Sequence, residues 1–393
     1  MTEKRESVTR ELYERDSECF EFEACVLSCQ AYDRGGYAVE LDQTAFFPEG
    51  GGQYADTGTL ADARVSDVRR REGRIYHVTD QPLAVGAIVQ GRVDADVRMC
   101  RMQNHTGEHI ISGLVWSQYG YQNVGFHLGN GEMTLDFDHP LDACQLADIE
   151  ARANRVVWAN LPVTAQYPDE QTLADMNYRS KLDLTENVRI VTIEGVDCCA
   201  CCAPHVKRTG EIGLIKIVTS ASYKGGVRLW VLCGAWALED YRQKHETVMA
   251  ISRKYSVKPE GTLAAVTRVD EELLRAKAAG SAARRELLTE RMKHNHPNAY
   301  GNLVLIEQDL DSAEQRFLAD LGAQSCPTGL CAVVVETASD CRYVCVSRSL
   351  ALKEIAKQLR ERFGGGGGGS DAMIQGSAAT SAAQLADFFE QIQ

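Results

Sequence analysis

Asn104-His105-Thr106-Gly107-Glu108-His109 places two imidazoles four residues apart. On an α-helix, positions i and i+4 stack on one face, so both rings can reach a single metal ion. The flanks fit that helix: Ile110, Ile111, Leu114 and Val115 supply apolar positions behind the pair. Two ordinary histidines on a helix face give the same pattern, so this pair alone does not decide the matter. A second pair lies in Asp-Cys-Cys-Ala-Cys-Cys-Ala-Pro-His-Val, residues 197–206, where Cys201 and His205 are again four apart. Two His joined by a Cys and a further His complete a tetrahedral N/S set suited to zinc. Cys198, Cys199 and Cys202 are rival ligands in the same tract. Buried free thiols are common in cores. Four cysteines within five positions, followed by a histidine, read instead as a metal-binding composition.

The 393 residues suggest two or three domains, and 44% hydrophobic with 25% charged residues is ordinary for a globular protein. No run of 18 apolar residues is present, so no membrane span is expected. The start, Met1-Thr2-Glu3-Lys4-Arg5-Glu6, lacks the apolar stretch of a secretory signal. Fourteen cysteines without such a signal predict a cytoplasmic protein using metal or free thiols rather than disulfides. A net charge of −13 argues against a broad basic face for nucleic acid, while leaving room for a local basic track.

Along the chain, residues 18–30 and 37–42 alternate loosely and predict strands. Phe46-Phe47-Pro48-Glu49-Gly50-Gly51-Gly52-Gln53 breaks that pattern, and its glycines permit positive φ and a close backbone approach. Strand signals resume at residues 58–60, 63–69, 74–78 and 88–93, a spacing that suggests a small β-barrel. The histidine helix then opens an α+β region to about residue 239, with a further helix over 147–160 and strands over 132–137, 188–193, 213–219 and 227–232. From residue 238 to 294 the chain is charged and helical, with Leu273, Ala276, Ala279, Ala283 and Leu287 at helical spacing and a bend around Pro259. A simple linker and a helical hairpin that dimerises both fit. The last region alternates strands and helices, interrupted by Gly364, Gly365, Gly366, Gly367, Gly368 and Gly369. That run reads either as a spacer or as backbone N–H groups offered to phosphate. The expected fold class is α+β: a β-barrel over 1–96, a zinc-bearing α+β domain over 97–239, a helical linker over 240–297 and a terminal α/β domain over 298–393.

The succession of FFPEGGGQ and DTGTL, then HTGEH, then Cys201 to His205 with TGEIGLIKI, then the glycine run with DAMIQGSA, resembles the alanyl-tRNA editing proteins of the AlaX type. These are relatives of the editing region of alanyl-tRNA synthetase. The resemblance covers nearly the whole chain, including a DHH-associated terminal domain. Between Cys201 and His205 this chain has Cys202-Ala203-Pro204 where the synthetases usually carry glycines and Thr, which bears on loop geometry rather than ligand type. Nothing in this sequence resembles the synthetase's aminoacylation domain, so it is not expected to charge tRNA. The resemblance implies hydrolysis of a wrong amino acid, chiefly serine with glycine an open second candidate, from tRNA for alanine, with Zn2+ held by His105, His109, Cys201 and His205. Thr44, Gln53 and Gln122 are candidates for recognising the serine hydroxyl, since a site that pairs a hydroxyl rejects the analogue lacking it.

Glu108 is a candidate general base. Gly50, Gly51 and Gly52, Lys207 and Arg208, and the run from Gly364 to Gly369 are candidate tRNA contacts. Arg69, Arg70, Arg71 and Arg74, with Lys216, Lys224 and Arg228, extend the possible basic track. Two other readings remain. His105-Thr106-Gly107-Glu108-His109 has the H-x-x-E-H form of some zinc peptidases, which require an acidic third ligand. A zinc-dependent tRNA-binding protein without catalysis is the other.

Overall fold

The computed structural model describes residues 9–33, 35–180, 188–337 and 340–393. The chain divides into two compact units, Met1–Ala250 and Ile251–Gln393.

In the first unit, six strands close into a barrel in the order Glu21–Ala31, Tyr37–Leu41, Arg74–Thr79, Ala63–Arg71, Gly58–Leu60 and Ile88–Val93. Strict alternation explains its filling. Ile88–Val93 exposes and buries successive residues, as a period of two demands. Val26, Val39, Leu41, Phe46, Leu60, Val65, Ile75 and Val89 pack inside. His77 is also buried there, with Nε2 2.7 Å from Thr44 Oγ1 and Nδ1 3.0 Å from the Val39 carbonyl. Burial pushes its pKa from 6.5 down to about 4, so it is a neutral core histidine.

The helix Ala95–Tyr119 carries the histidine pair and ends at Gly120 in the left-handed region. It packs with the helix Ala143–Ala159 against a four-stranded antiparallel sheet, ordered Ile215–Tyr223, Gly226–Cys233, Met133–Phe137, Asn123–Leu128. Ala143–Ala159 starts four residues before the expected 147, because Asp142 and Gln145 form a reciprocal capping box. The unit also holds a three-stranded sheet of Val163–Gln166, Ile190–Ile193 and Asp197–Ala200. The cysteine tract is thus partly a strand, which its composition did not suggest.

The second unit contains a five-stranded sheet ordered Leu303–Glu307, Leu330–Glu336, Cys341–Ser347, Met373–Ala378, Gly367–Gly369. Leu330–Glu336 is apolar on both faces. Leu330, Ala332 and Val334 join one core with the helices Leu352–Phe363 and Ala382–Glu390, while Cys331, Val333 and Val335 join another with Ser312–Ala323. The long helix Thr262–Met292 contributes Leu288 and Met292 to the latter core. Its Leu263, Leu273, Leu274 and Leu287 are exposed. The glycine run is neither loop nor spacer throughout: Gly364 follows a helix at φ +69°, and Gly367–Gly369 pairs antiparallel with Met373–Ala378. No helix among the described residues is long and apolar enough to cross a membrane.

Candidate metal centre

His105 and His109 project from one helix, and Cys201 and His205 lie in the loop after the strand Asp197–Ala200. One donor atom from each lies within 4.8 Å of all the others. Cys201 Sγ is 3.6 Å from His105 Nε2 and 3.4 Å from His205 Nε2. Each imidazole is anchored through its other nitrogen. His105 Nδ1 is 2.8 Å from Gln53 Oε1, His109 Nδ1 2.9 Å from Asp197 Oδ2, and His205 Nδ1 3.1 Å from Thr106 Oγ1. An Nδ1–H donated to these oxygens leaves three Nε2 lone pairs facing one point, the tautomer that metal-binding histidines use. The three rings are at most 4% exposed, so solvent does not compete for them. Burial, then the His109 and His105 rings, holds the His205 pKa well below its ordinary value. Burial, then Cys202, pushes the Cys201 thiol up. Three imidazoles and a buried thiol that a cation would ionise make a donor set able to hold a metal ion.

The loop Gly50-Gly51-Gly52 delivers Gln53 to this site. Gly52 sits at φ +84°, and a Cβ there would lie 2.6 Å from the Phe126 carbonyl oxygen. Leu128 N donates to Gly52 O at 2.7 Å, and Tyr54 N to Leu128 O at 3.2 Å, stitching the loop to the neighbouring strand. Asp56, fully buried, accepts from Phe47 N at 2.7 Å and pairs with the equally buried Arg98 of the histidine helix. On the opposite side, Arg189 donates to the carbonyls of Cys201 and Ala203, both at 2.9 Å, and fixes the cysteine loop.

A cavity of about 290 Å³ is bordered by three of the four donor residues, His105, His109 and Cys201, and by Glu108, Phe126, Tyr167 and Arg179. Glu108 Oε1 accepts from Ser112 Oγ at 2.7 Å and Asn123 Nδ2 at 2.8 Å, while Oε2 lies 3.7 Å from His109 Nε2. Its carboxylate is therefore held at the border of the cavity. Gln122 borders an adjoining cavity of about 160 Å³, which shares Arg179, Ser180 and Cys199 with the first. Thr44 is elsewhere: its hydroxyl is engaged by His77 and Phe46 N inside the barrel. Gln53 is fully buried and acts on His105, and of the three glycines only Gly51 borders the cavity.

The cations singled out as tRNA contacts are engaged internally. Lys207 pairs with Asp16 and Glu18, and Arg208 donates to the Asn160 carbonyl. Arg69 pairs with Glu49 and Asp67, Arg70 with Glu11, Lys216 with Glu150 and Arg228 with Asp136. A basic track counted from sequence is thus largely offset by neighbouring carboxylates. In the second unit, Gly367, Gly368 and Gly369 border a cleft of about 730 Å³ together with Arg316, Arg342 and Gln315. Gln315 is 2% exposed there, and its Nε2 has no hydrogen-bond partner among the described residues.

Sequence reasoning did not single out Asp197, Arg179, Thr106, Asn123 or Arg189. Asp197 and Thr106 stand inside the two quoted stretches, but a partner across 88 or 99 residues of chain leaves no local periodicity.

A family model described as the second additional domain of threonyl and alanyl tRNA synthetases matches residues 188–229. A class II (A) tRNA synthetase model matches residues 18–97. Alanyl-tRNA editing protein Aarsd1 of Mus musculus is 28% identical over 387 residues, covering 93% of this chain and 93% of that protein. Alanine–tRNA ligase of Ignicoccus hospitalis is 30% identical over 374 residues, covering 91% of this chain. That of Natronomonas pharaonis is 34% identical over 280 residues, covering 67% of this chain. This chain spans only 40% and 30% of the two ligases.

Proposed function

The chain is a relative, over nearly its whole length, of alanyl-tRNA editing proteins, and from that premise we propose that it removes wrongly attached amino acids, chiefly serine and also glycine, from tRNA for alanine. The observation that carries this reading is the convergence of His105, His109, Cys201 and His205 beside a cavity that also holds the Glu108 carboxylate. Those four residues would hold the zinc ion, which when bound would supply positive charge beside the ester and, by expanding to a fifth ligand, a Lewis acid for its carbonyl. Gln53, Asp197 and Thr106 keep the three rings in the binding tautomer. Glu108 accepts a proton from the attacking water and returns it to the ribose oxygen as the ester bond breaks, giving free amino acid and tRNA. Ser112 and Asn123 hold one carboxylate oxygen so that the other faces the substrate. Gln122, bordering the adjoining cavity, is the best placed of the three polar candidates to meet a serine hydroxyl.

In the second unit, the cleft beside Gly367–Gly369 takes phosphates of the tRNA through Arg316, Arg342 and backbone N–H groups, contacts that position without reading sequence. The domain assignment follows: barrel over 1–96, editing domain over 97–239, helical linker over 240–297, tRNA-binding domain over 298–393. Fourteen free thiols suit a reducing cytoplasm. A peptidase of the H-x-x-E-H type is less well supported, because a Cys and a His stand where it needs an acidic ligand.

The test is single-turnover deacylation of serine-mischarged and correctly charged tRNA for alanine, beside a peptide pool. Selective release of serine, lost with zinc in His105→Ala and Cys201→Ala, is the expected result. Equal rates on both tRNAs defeat the proofreading role. Tight tRNA binding without hydrolysis leaves a zinc-dependent binding protein.

A further inference from the structure

The three imidazoles of the site are not supported alike. His105 and His205 lean on neutral oxygens, those of Gln53 and Thr106. His109 leans on a carboxylate, Asp197, whose side chain is completely buried. Asp197 is in turn gripped by Arg179, with Nε 2.7 Å from Oδ1 and Nη2 2.9 Å from Oδ2. Arg179 is fixed through its own backbone: its N–H donates to Cys198 O at 2.8 Å, and Ala200 N donates to its carbonyl at 2.9 Å. The fork, the carboxylate and the ring therefore form one chain that ends on the strand carrying the cysteine tract.

Gly113 makes this chain possible. It lies one helical turn beyond His109, and a Cβ there would stand 2.4 Å from the Val196 carbonyl oxygen and 2.7 Å from Asp197 Cβ. Only a residue without a side chain lets the histidine helix approach the Asp197 strand closely enough for a direct hydrogen bond.

We infer that Asp197, oriented by Arg179, is a positioning residue that sets how strongly His109 donates to the metal. This rests on the metal reading above. A carboxylate accepting the Nδ1 proton locks the ring and increases the basicity of Nε2, and losing such a partner typically weakens metal binding by about 10- to 100-fold. The guanidinium keeps the buried carboxylate charged and aimed. A neutral hydroxyl orients its ring without that added basicity, so Thr106 matters less to affinity than Asp197. His109, Asp197 and Cys199 also lie close enough together to form a small donor group of their own. The 2.9 Å contact between Nδ1 and Oδ2 has the length of a hydrogen bond.

The test measures zinc affinity of the full chain by competition with a chromophoric chelator, with the visible spectrum of the cobalt-substituted protein as a second readout. Asp197→Asn should lower zinc affinity about 10- to 100-fold and shift the cobalt bands. Thr106→Val should cost less, and Cys199→Ala should leave both readouts unchanged. The double variant Asp197→Asn with Arg179→Met, which strands no buried charge, should reproduce the single variant's loss. Thermal unfolding of the metal-free proteins separates this from a folding defect. Wild-type affinity and an unaltered cobalt spectrum in Asp197→Asn overturn the inference. Loss of metal in Cys199→Ala overturns it too, because Asp197 would then be a ligand. A wild-type chain that binds no zinc defeats the proposed function itself.

Discussion

Gly52→Ala tests how the glycine loop serves the site. At φ +84° an L-residue is strained, at a cost of about 1–2 kcal/mol. The added methyl would also stand 2.6 Å from the Phe126 carbonyl oxygen and 2.9 Å from Phe126 Cδ1. That oxygen is backbone of a paired strand, so it cannot swing aside as a flexible side chain would. Overpacking of this kind costs about 1–3 kcal/mol. The combined penalty is about 2–5 kcal/mol, a large part of the stability of an ordinary domain. Gly51→Ala is the matched control. It too has positive φ, +58°, but its Cβ would meet nothing nearer than Cys202 Sγ at 4.0 Å. Only the backbone cost of about 1–2 kcal/mol is expected there. The displaced loop should also draw Gln53 away from His105 and weaken zinc binding in the Gly52 variant alone. Urea unfolding of zinc-free protein measures the first effect, and chelator competition the second. Equal destabilisation by the two substitutions would refute the argument from the Phe126 contact.

Glu108→Gln should retain zinc but lower the saturated rate of deacylation by about 100- to 10,000-fold, and single-turnover kinetics will show whether it does. His77 gives a pH dependence: its folded pKa is depressed from 6.5 to about 4, so the unfolded chain takes up the proton first. The associated stability is present above pH 6.5 and lost as pH falls toward 4, about 3 kcal/mol in all. Zinc-free His77→Gln, unfolded in urea across that range, should lose less stability on acidification than wild type. Arg316→Ala with Arg342→Ala should weaken tRNA binding and flatten its salt dependence by about two phosphate contacts; a slope unchanged between low and moderate salt removes the cleft from the tRNA path.

Much of the site is legible because each half is local. His105 and His109 are brought onto one face by helical spacing alone, while Cys201 and His205 are neighbours in sequence whose loop is held by the distant Arg189. The barrel strands are legible for a similar reason, since alternation such as that of residues 88–93 is a property of neighbours in sequence. What is hidden depends on distant partners. Nothing near Lys207 announces Asp16 and Glu18, so a count of cations overstates the free positive charge. Thr44 looks like an ordinary polar loop residue until His77 is seen across the barrel. The glycine run resists reading because glycine is depleted in strands; Gly367–Gly369 is held in one by the ladder of Met373–Ala378, not by propensity. The early start of the helix at Ala143 was available in Asp142 and Gln145, whose spacing is that of a capping box.

The two donor pairs also bear on the order in which the chain assembles. Cys201 and His105 are 96 residues apart, and bringing them together requires the strands between them to be in place. Either pair alone can capture a cation in the unfolded chain, but a cation held by one pair closes no long loop. The entropy of closing that loop is paid by the sheet and the helix, not by the metal. On the proposed metal reading, zinc is expected to gain its full set of donors only after the folding transition state. It should leave the refolding rate nearly unchanged and slow unfolding instead, so that the holo protein is protected chiefly by the lifetime of its native state.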